Sequence, residues 1–515
     1  MHRFPLLLLV FFSGMVTLGV ELAASRLLAP FFGTSLLVWA ALIGLMLLYL
    51  SLGYWLGGRW ADRSPHIETL IGIISAAAVL VGLVPIIAGP VLRLSVEGFA
   101  QLNAGLLGGS FVGVLLLFTA PMILLGCVSP FAIRLAMEDV AHSGQTAGQL
   151  YALSTLGSFV GTFLPVLWLI PTVGTRWTFW SFALLLLAVA ALAAALTARR
   201  ALPLALLGFV AVLGMALWAQ GRPIKPGAGV IYEGESLYHY IRVVEKDGWR
   251  FLELNEGQGI HSAYLPGAGT TGGVWDYYLL APLFNPAPHD PFAQTKHWAI
   301  IGVAAGSTPR SIQSVYGDEP VIGVEIDSQV VEVGKTYFAM EQLPNLEVVI
   351  EDGRTWLARD EGRYDVIGVD AYRQPYIPFH LTTVEFFRDA RAHLTPTGVV
   401  AINVGRAPND WRLVDALAST MMRVFPSVYA IDVDDSFNTL LIGTNQPVHP
   451  GDVVDNVDAV THPTLLALID RARGHIRLPL DQGLVFTDDR APVEQVIDAM
   501  ITRFALEEGL EQIQE

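Results

Sequence analysis

The stretch YDVIGVDAYRQPYIPF, residues 364–379, carries an apolar run, Val366–Val369, that stops on a carboxylate, Asp370, with Arg373 three positions later. A carboxylate ending a buried strand can take a proton from a nucleophile, anchor a ligand, or simply pair with a nearby cation. Two further runs carry acids at the same place. VIGVEID (321–327) carries Glu325, and LEVVIED (346–352) ends on Glu351 and Asp352, followed by Gly353. Glu325 lies 19 residues after Gly306, in the small-residue turn GVAAGS (302–307) that opens on Gly302. That spacing suits a carboxylate accepting both hydroxyls of a ribose while the ligand lies against the backbone of the turn. Asp352 is placed to accept an adenine amino group. A single strand-end acid also fits a helix cap; three along one edge point to a nucleoside site. No phosphate-cradling lysine motif is present.

The elements that must position these acids are legible as alternation. HWAIIGV (297–303), VIGVEID, LEVVIED, YDVIGVD (364–370) and GVVAINVG (398–405) are apolar runs of strand length, with helical segments such as 328–340 and 382–394 between them. This pattern predicts a parallel sheet with helices on both faces, whose ligands bind beyond the carboxyl ends of the strands. Ahead of it, residues 237–257 read as a β-hairpin turning at Asp247-Gly248, a type I′ signal.

Composition sets the first half apart. The chain has 515 residues, 53% hydrophobic and 15% charged, against about 25% charged in soluble domains. Ionisable groups are sparse over 4–220 and frequent from Glu233 on, with a Pro/Gly-rich linker near 219–229 between. Seven runs are long and apolar enough to span a bilayer: roughly 5–25, 35–57, 67–89, 105–128, 148–170, 177–197 and 202–219. The predicted domains are therefore 1–220, a transmembrane α-helical bundle; 221–290, a linker with the β-hairpin and a further segment; and 291–515, the α/β domain. Arginine positions put the N-terminus inside and, with an odd number of spans, the second half outside, which conflicts with a cytoplasmic catalytic half. Glu21 and Arg26 lie in or near the first run, where charges mark either function or an ion pair locking the bundle. GYWLGGRWADR (53–63) is similar to the short cytoplasmic loop of major-facilitator transporters, with glycines for a tight turn and Arg and Asp stapling helix ends. The net charge of −16 excludes nucleic acid as a partner. The single cysteine, Cys127, excludes a disulfide within the chain and a cysteine metal cluster, and the histidines lack metal-ligand spacing.

The motifs IIGVAAGSTPRSI, VIGVEIDSQVVEVGKTYF, VVIEDGRTWL, YDVIGVDAY and LTTVEFFRDARAHLTPTGVVAINV, with SLYHYIRVV…LNEG and GVWDYYLLAPLF ahead of them, resemble the spermidine synthase (polyamine aminopropyltransferase) family over about 230–445. The arrangement is that of bacterial members with an N-terminal multi-span, transporter-like bundle, and TDDRAPVEQ (487–495) is similar to their terminal motif. The resemblance implies a Rossmann-like, class I methyltransferase-like sheet preceded by a small β-hairpin domain. It also implies transfer of an aminopropyl group from decarboxylated S-adenosylmethionine, a co-substrate rather than a tightly bound cofactor, to putrescine or another amine, with methylthioadenosine released. By position, Asp370 corresponds to the general base, Glu325 to the ribose-binding acid, and Asp352 with Gly353 to the adenine contact; Gly302 and Gly306 belong to the donor loop. The family's donor-holding glutamine has no clean match, and Gln258 or His261 could serve in its place. Trp275 and Asp276 stand where the family has a His-Glu pair, Ala305 and Arg373 where it has two amine-binding aspartates, and Tyr277, Tyr278, Tyr372 and Tyr376 could wall a cation. The family also implies a possible homodimer.

The expected function is a membrane-bound polyamine aminopropyltransferase. Two alternatives stand beside it: a methyltransferase using S-adenosylmethionine itself, and a transporter or sensor whose nucleoside domain binds without chemistry. The expected location is the cell membrane, multi-pass.

Overall fold

The computed structural model describes residues 3–32, 36–101, 105–137, 142–225, 227–255, 259–372 and 376–507. The chain forms two compact units: Met1–Gly227 with Glu233–Tyr240, and Ala228–Tyr232 with Ile241–Glu515.

The first unit is helical: α1 (Arg3–Phe32), α2 (Leu36–Arg63), α3 (Ile67–Gln101), α4 (Gly105–Ala136), α5 (Ser143–Leu164), α6 (Ile170–Thr197) and α7 (Leu202–Ala219). Among the described residues six continuous segments are long and apolar enough to cross a membrane; the fifth, Ser143–Thr197, is 55 residues long. Two of the seven runs expected from sequence share that segment. A π turn at Pro165–Leu169 joins α5 to α6, because Pro165 has no N–H to continue the ladder and the hydrogen bond from Ile170 slips back to the Pro165 carbonyl. Helical geometry then breaks at Gly174 (φ 80, ψ 167), and the chain doubles back along α1. Before the break, Gly157 meets Phe11 and Gly161 meets Met15; after it, Phe182 meets Gly19.

Glycines set the helix contacts. An added Cβ on Gly157 or Gly161 would lie 2.0 Å from a carbonyl oxygen of α1, and one on Gly53 2.3 Å from the Ile123 carbonyl of α4. Gly53 and Gly57, one turn apart, both face α4, the small-residue spacing by which apolar helices approach closely. This corrects the reading of 53–63 as a loop: these glycines sit inside α2 and serve packing, not a turn. The stapling part holds, since Asp62 pairs with Arg134 of α4 at 3.4 Å.

After the helices, β1 (Val230–Glu235), β2 (Tyr240–Lys246), β3 (Trp249–Leu254) and β4 (Ile260–Tyr264) form a four-stranded sheet in that order. The expected hairpin is its β2–β3 pair, and the turn residues Asp247 and Gly248 both take positive φ (53 and 83), as a type I′ turn requires. The larger sheet contains β5 (Trp298–Ile301), β6 (Val321–Glu325), β7 (Leu346–Ile350), β8 (Tyr364–Val369), β9 (Leu394–Gly405), β10 (Ser427–Asp432), β11 (Asn438–Thr444) and β12 (Ile476–Arg477). Their order is β12-β10-β11-β9-β8-β5-β6-β7.

The five strands read from sequence are the parallel part of this sheet. The sheet as a whole is mixed. β11 lies antiparallel against both β9 and β10, since the short β10–β11 connection permits only a hairpin. β5 and β8 are buried at every position, as central parallel strands are. Alternate residues of the central strands feed two cores. Ala299, Ile301, Ile367, Val400 and Ile402 face one, and Trp298, Ile300, Val366, Val399 and Ala401 the other.

Candidate active site

From β5 the chain steps outward through β6 to β7, then crosses to the other side of β5 as β8. The strand order reverses between β5 and β8, and ligands of such sheets bind in the crevice at that point. Gly302 and Asp370, the residues that follow these two strands, meet there. The Asp370 N–H donates to the Ile301 carbonyl at 2.8 Å. Gly302 has φ 87, and a Cβ on it would lie 2.6 Å from the carbonyl carbon of Asp370 and from Ala371 backbone atoms. Only glycine permits both that conformation and that approach.

Among the described residues, one side chain holds the Asp370 carboxyl. Asn403 Nδ2, on β9, donates to its Oδ1 at 2.8 Å, and Asn438 Nδ2, on β11, donates to Asn403 Oδ1 at 2.8 Å. The second bond fixes which end of the Asn403 amide faces the carboxylate. Asp370 keeps partial exposure, yet burial of its carboxyl pushes the group up to about 7, with the Asn403 hydrogen bond acting in the opposite direction. Two phenols flank it. Tyr278 donates to the Val369 carbonyl (2.7 Å) and Tyr372 to the Asn403 carbonyl (3.1 Å). Burial, and the charge of Asp370, keep both protonated far above neutral pH.

Glu325 ends β6, with 8% of its surface exposed. Its Oε2 accepts from the Ala304 N–H at 3.0 Å and its Oε1 from the Asp327 N–H at 3.1 Å. The acid thus braces the turn 302–306, in which Ala304 takes a left-handed φ of 47, a strained conformation for a non-glycine residue. Gly306 (φ 88) is the N-cap of the helix Ser307–Tyr316.

Asp352 is built differently. It caps the helix Gly353–Arg359, its Oδ1 accepting from the N–H groups of Arg354 (3.1 Å) and Thr355 (3.0 Å). Its Oδ2 lies 2.9 Å from His380 Nε2. The His380 hydrogen bond, ahead of those from Thr355, brings this carboxyl down to about 2. Gly353 lets the helix start press on β5, where a Cβ would come 2.2 Å from Ile301 Cγ2. Arg354 forms a bidentate pair with Asp488 at 2.7 Å on both oxygens, and Thr383 also donates to Asp488. The terminal TDDRAPVEQ motif is therefore tied to the same corner.

The residues expected to hold an amine are scattered. Asp276 is 3% exposed and accepts from the Thr271 N–H and hydroxyl, the Gly272 N–H and the Ser311 hydroxyl. It holds a turn onto a helix. Trp275 packs over Gly273. Tyr277 is fully buried, its hydroxyl 3.3 Å from the Asp434 N–H, so its neighbour Tyr278 is the tyrosine beside Asp370. Ala305 is buried against Gly334, its N–H on Ser262 Oγ. Gln258 and Arg373 lie outside the described residues. Sequence reasoning missed Asn403, Asn438 and the His380–Asp352 pair. For Asn403 a signal existed: it is the polar residue interrupting the apolar run GVVAINVG near its carboxyl end.

Residues 288–433 match the Spermine/spermidine synthase domain. Over 222 residues the chain is 31% identical to a probable polyamine aminopropyl transferase of Bifidobacterium longum (strain NCC 2705), covering 43% of this chain and 46% of the relative. It is 28% identical over 222 residues to a polyamine aminopropyltransferase of Vibrio vulnificus (strain CMCP6), covering 41% of this chain and 71% of that protein. Over 154 residues it is 27% identical to the human eEF1A lysine and N-terminal methyltransferase, covering 28% of this chain and 22% of the relative. Among solved structures, a probable spermidine synthase from Corynebacterium glutamicum ATCC 13032 superposes with a TM-score of 0.38 at 19% identity, covering 50% of this chain and 98% of that one. The C-terminal region of the chain, over residues 288–433, is a spermine/spermidine synthase domain.

Proposed function

We propose that the protein is a membrane-bound aminopropyltransferase. The amine nitrogen attacks the propyl carbon next to the donor sulfonium, and the carbon–sulfur bond breaks. Its electron pair returns to sulfur to give methylthioadenosine, and the proton lost from nitrogen passes to Asp370. The observation that carries this reading is Asp370 itself. It ends β8 at the reversal of the strand order, oriented by Asn403 and pushed up to about 7, near the value at which a base is both unprotonated and effective at neutral pH. Glu325 and the turn 302–306 supply the donor side, where a ribose would displace the backbone N–H groups now on the carboxylate. Trp275, Tyr277 and Asp276 act from behind this site, by packing and turn formation, while Tyr278 and Tyr372 wall it.

The test uses purified full-length protein with decarboxylated S-adenosylmethionine and putrescine. Methylthioadenosine should form, and Asp370→Asn should abolish it. A second reading has one observation in its favour: Ala305 stands, without a carboxylate, where the family binds its amine. Formation of S-adenosylhomocysteine from S-adenosylmethionine would establish that reading instead.

The long apolar helices are read as membrane spans, with the synthase domain in the cytoplasm, where nucleoside donors are made. Charge does not oppose this once the linker is counted. Arg26, Arg93, Arg176, Arg222 and Lys225 make five cations at one end of the bundle; Arg3, Arg59, Arg63, Arg134, Arg199 and Arg200 make six at the other. Arg26 and Arg176 mark the exit end, since they donate to carbonyls of Ser236 and Tyr238, and of Arg222 and Pro223. A difference of one gives no orientation bias.

A further inference from the structure

Glu21 lies in the interior of α1, 18 residues from Arg3 and 11 from Phe32, so roughly 27 Å and 17 Å of helix separate it from the two ends. If α1 spans a bilayer, this acid sits within the hydrocarbon layer, about 30 Å thick. Arg26, the nearest cation in sequence, is engaged with the carbonyls of Ser236 and Tyr238. Among the described residues Glu21 makes no hydrogen bond and no ion pair. Helices α2 to α6 all pack on α1. At membrane depth they bring Tyr49, Tyr54, Cys127 and Tyr151, and the Arg93 guanidinium is turned back onto the Gly89 carbonyl. Among the described residues their remaining charged side chains are Arg59, Asp62, Arg63, Glu68, Arg134 and Arg176. None bonds to Glu21.

Glu21 stands at the edge of the packed face of α1, with Leu18 one turn before it also half-buried. On its face of the helix, Gly14, Thr17, Ala24, Ser25 and Leu28 are all buried, while Glu21 between them keeps partial exposure. The carboxyl is therefore reachable at that edge. The neighbours one turn away on each side are hydroxyls with their protons committed. Thr17 Oγ1 donates to the Ser13 carbonyl at 2.7 Å and Ser25 Oγ to the Leu22 carbonyl at 2.8 Å. Both oxygens retain lone pairs, and residues four apart share a face. One turn further, Ser13 Oγ is buried (2% exposed) without a partner. Thr17, Glu21 and Ser25 thus present acceptors and a negative charge, a lining that recognises a cation and rejects an anion. An unpaired carboxylate in hydrocarbon is costly and is relieved by a proton or a cation.

We propose that Glu21 is a cation-binding carboxyl of the helical bundle, occupied by a proton or by an alkylammonium group that displaces it to solvent. The proposal rests on reading the bundle as membrane-spanning and is independent of the transferase activity. The test treats membranes containing the full chain with a hydrophobic carbodiimide, which adds to protonated carboxyls, and locates adducts by peptide mass spectrometry. Resistance of the protein to alkaline extraction checks the membrane reading separately. The expected result is an adduct on Glu21 that declines about tenfold per pH unit once the group ionises, and that vanishes in Glu21→Gln while extraction resistance and methylthioadenosine formation persist. Further loss of the adduct on adding putrescine at fixed pH assigns the ammonium; pH dependence without a putrescine effect assigns the proton. An extraction-resistant protein that labels elsewhere but not on Glu21, or a Glu21 adduct indifferent to both pH and putrescine, overturns the proposal.

Discussion

Two strand ends of one sheet hold the same chemical group in opposite states. After β7, Asp352 receives two backbone N–H groups of the helix it caps and a histidine, and falls to about 2. After β8, Asp370 has, among the described residues, one amide donor and a buried carboxyl, and rises to about 7. Both acids sit at the carboxyl edge of parallel strands, so the edge itself does not separate them. The next residues of the chain do: a helix start supplies N–H groups after β7, whereas the chain after Val369 turns onto Gly302. A carboxylate with many donors is a structural anion; one with few can exchange a proton.

The contrast can be broken at either end. Asp370→Asn should lower the transfer rate by about 10²–10⁴, the usual worth of a positioned base, while methylthioadenosine binding, followed by calorimetry, survives. Gly302→Ala should also remove most activity. Its Cβ would strike the backbone that carries Asp370, and the left-handed φ adds about 1–2 kcal/mol, visible as a lower denaturant midpoint. The pH profile is sharper. Activity should rise with pH through about 7 as Asp370 loses its proton. Asn403→Ala removes the interaction that opposes burial, so the midpoint should move upward; an unmoved midpoint would break the assignment of Asp370 as base. The smallest effect belongs to Asp352. Asp352→Ala should cost about 1 kcal/mol through loss of a cap. Because its folded value lies below the ordinary one near 3.9, its contribution is complete above that pH and disappears as pH falls through about 2. Acid titration of stability should lose this component in the variant.

Much of this was legible in the residues. The parallel strands, Glu325, Asp352 and Asp370 could be read because apolar runs of strand length end where side chains must meet water or ligand. The features that could not be read depended on pairing. Asn438 reaches Asn403 because β11 inserts antiparallel beside β9, with Leu440 opposite Asn403; nothing local to either asparagine announces that. Tyr277 and Tyr278 are adjacent in sequence, so only the packed structure says which one faces Asp370. Gly53 and Gly57 were misread because a glycine looks the same in a turn and in a helix contact; the four-residue spacing was the discriminating sign.

The Arg354–Asp488 clasp joins residues 134 positions apart in the chain. At synthesis rates of about 5–20 residues per second, that separation is roughly 7–27 seconds. Once His380 has followed, 26 residues after Arg354, the newly made Asp352 corner has its strand and its histidine but not its clasp for the rest of that interval. The nascent synthase domain waits on its last motif, long after the helical bundle ahead of it has been made.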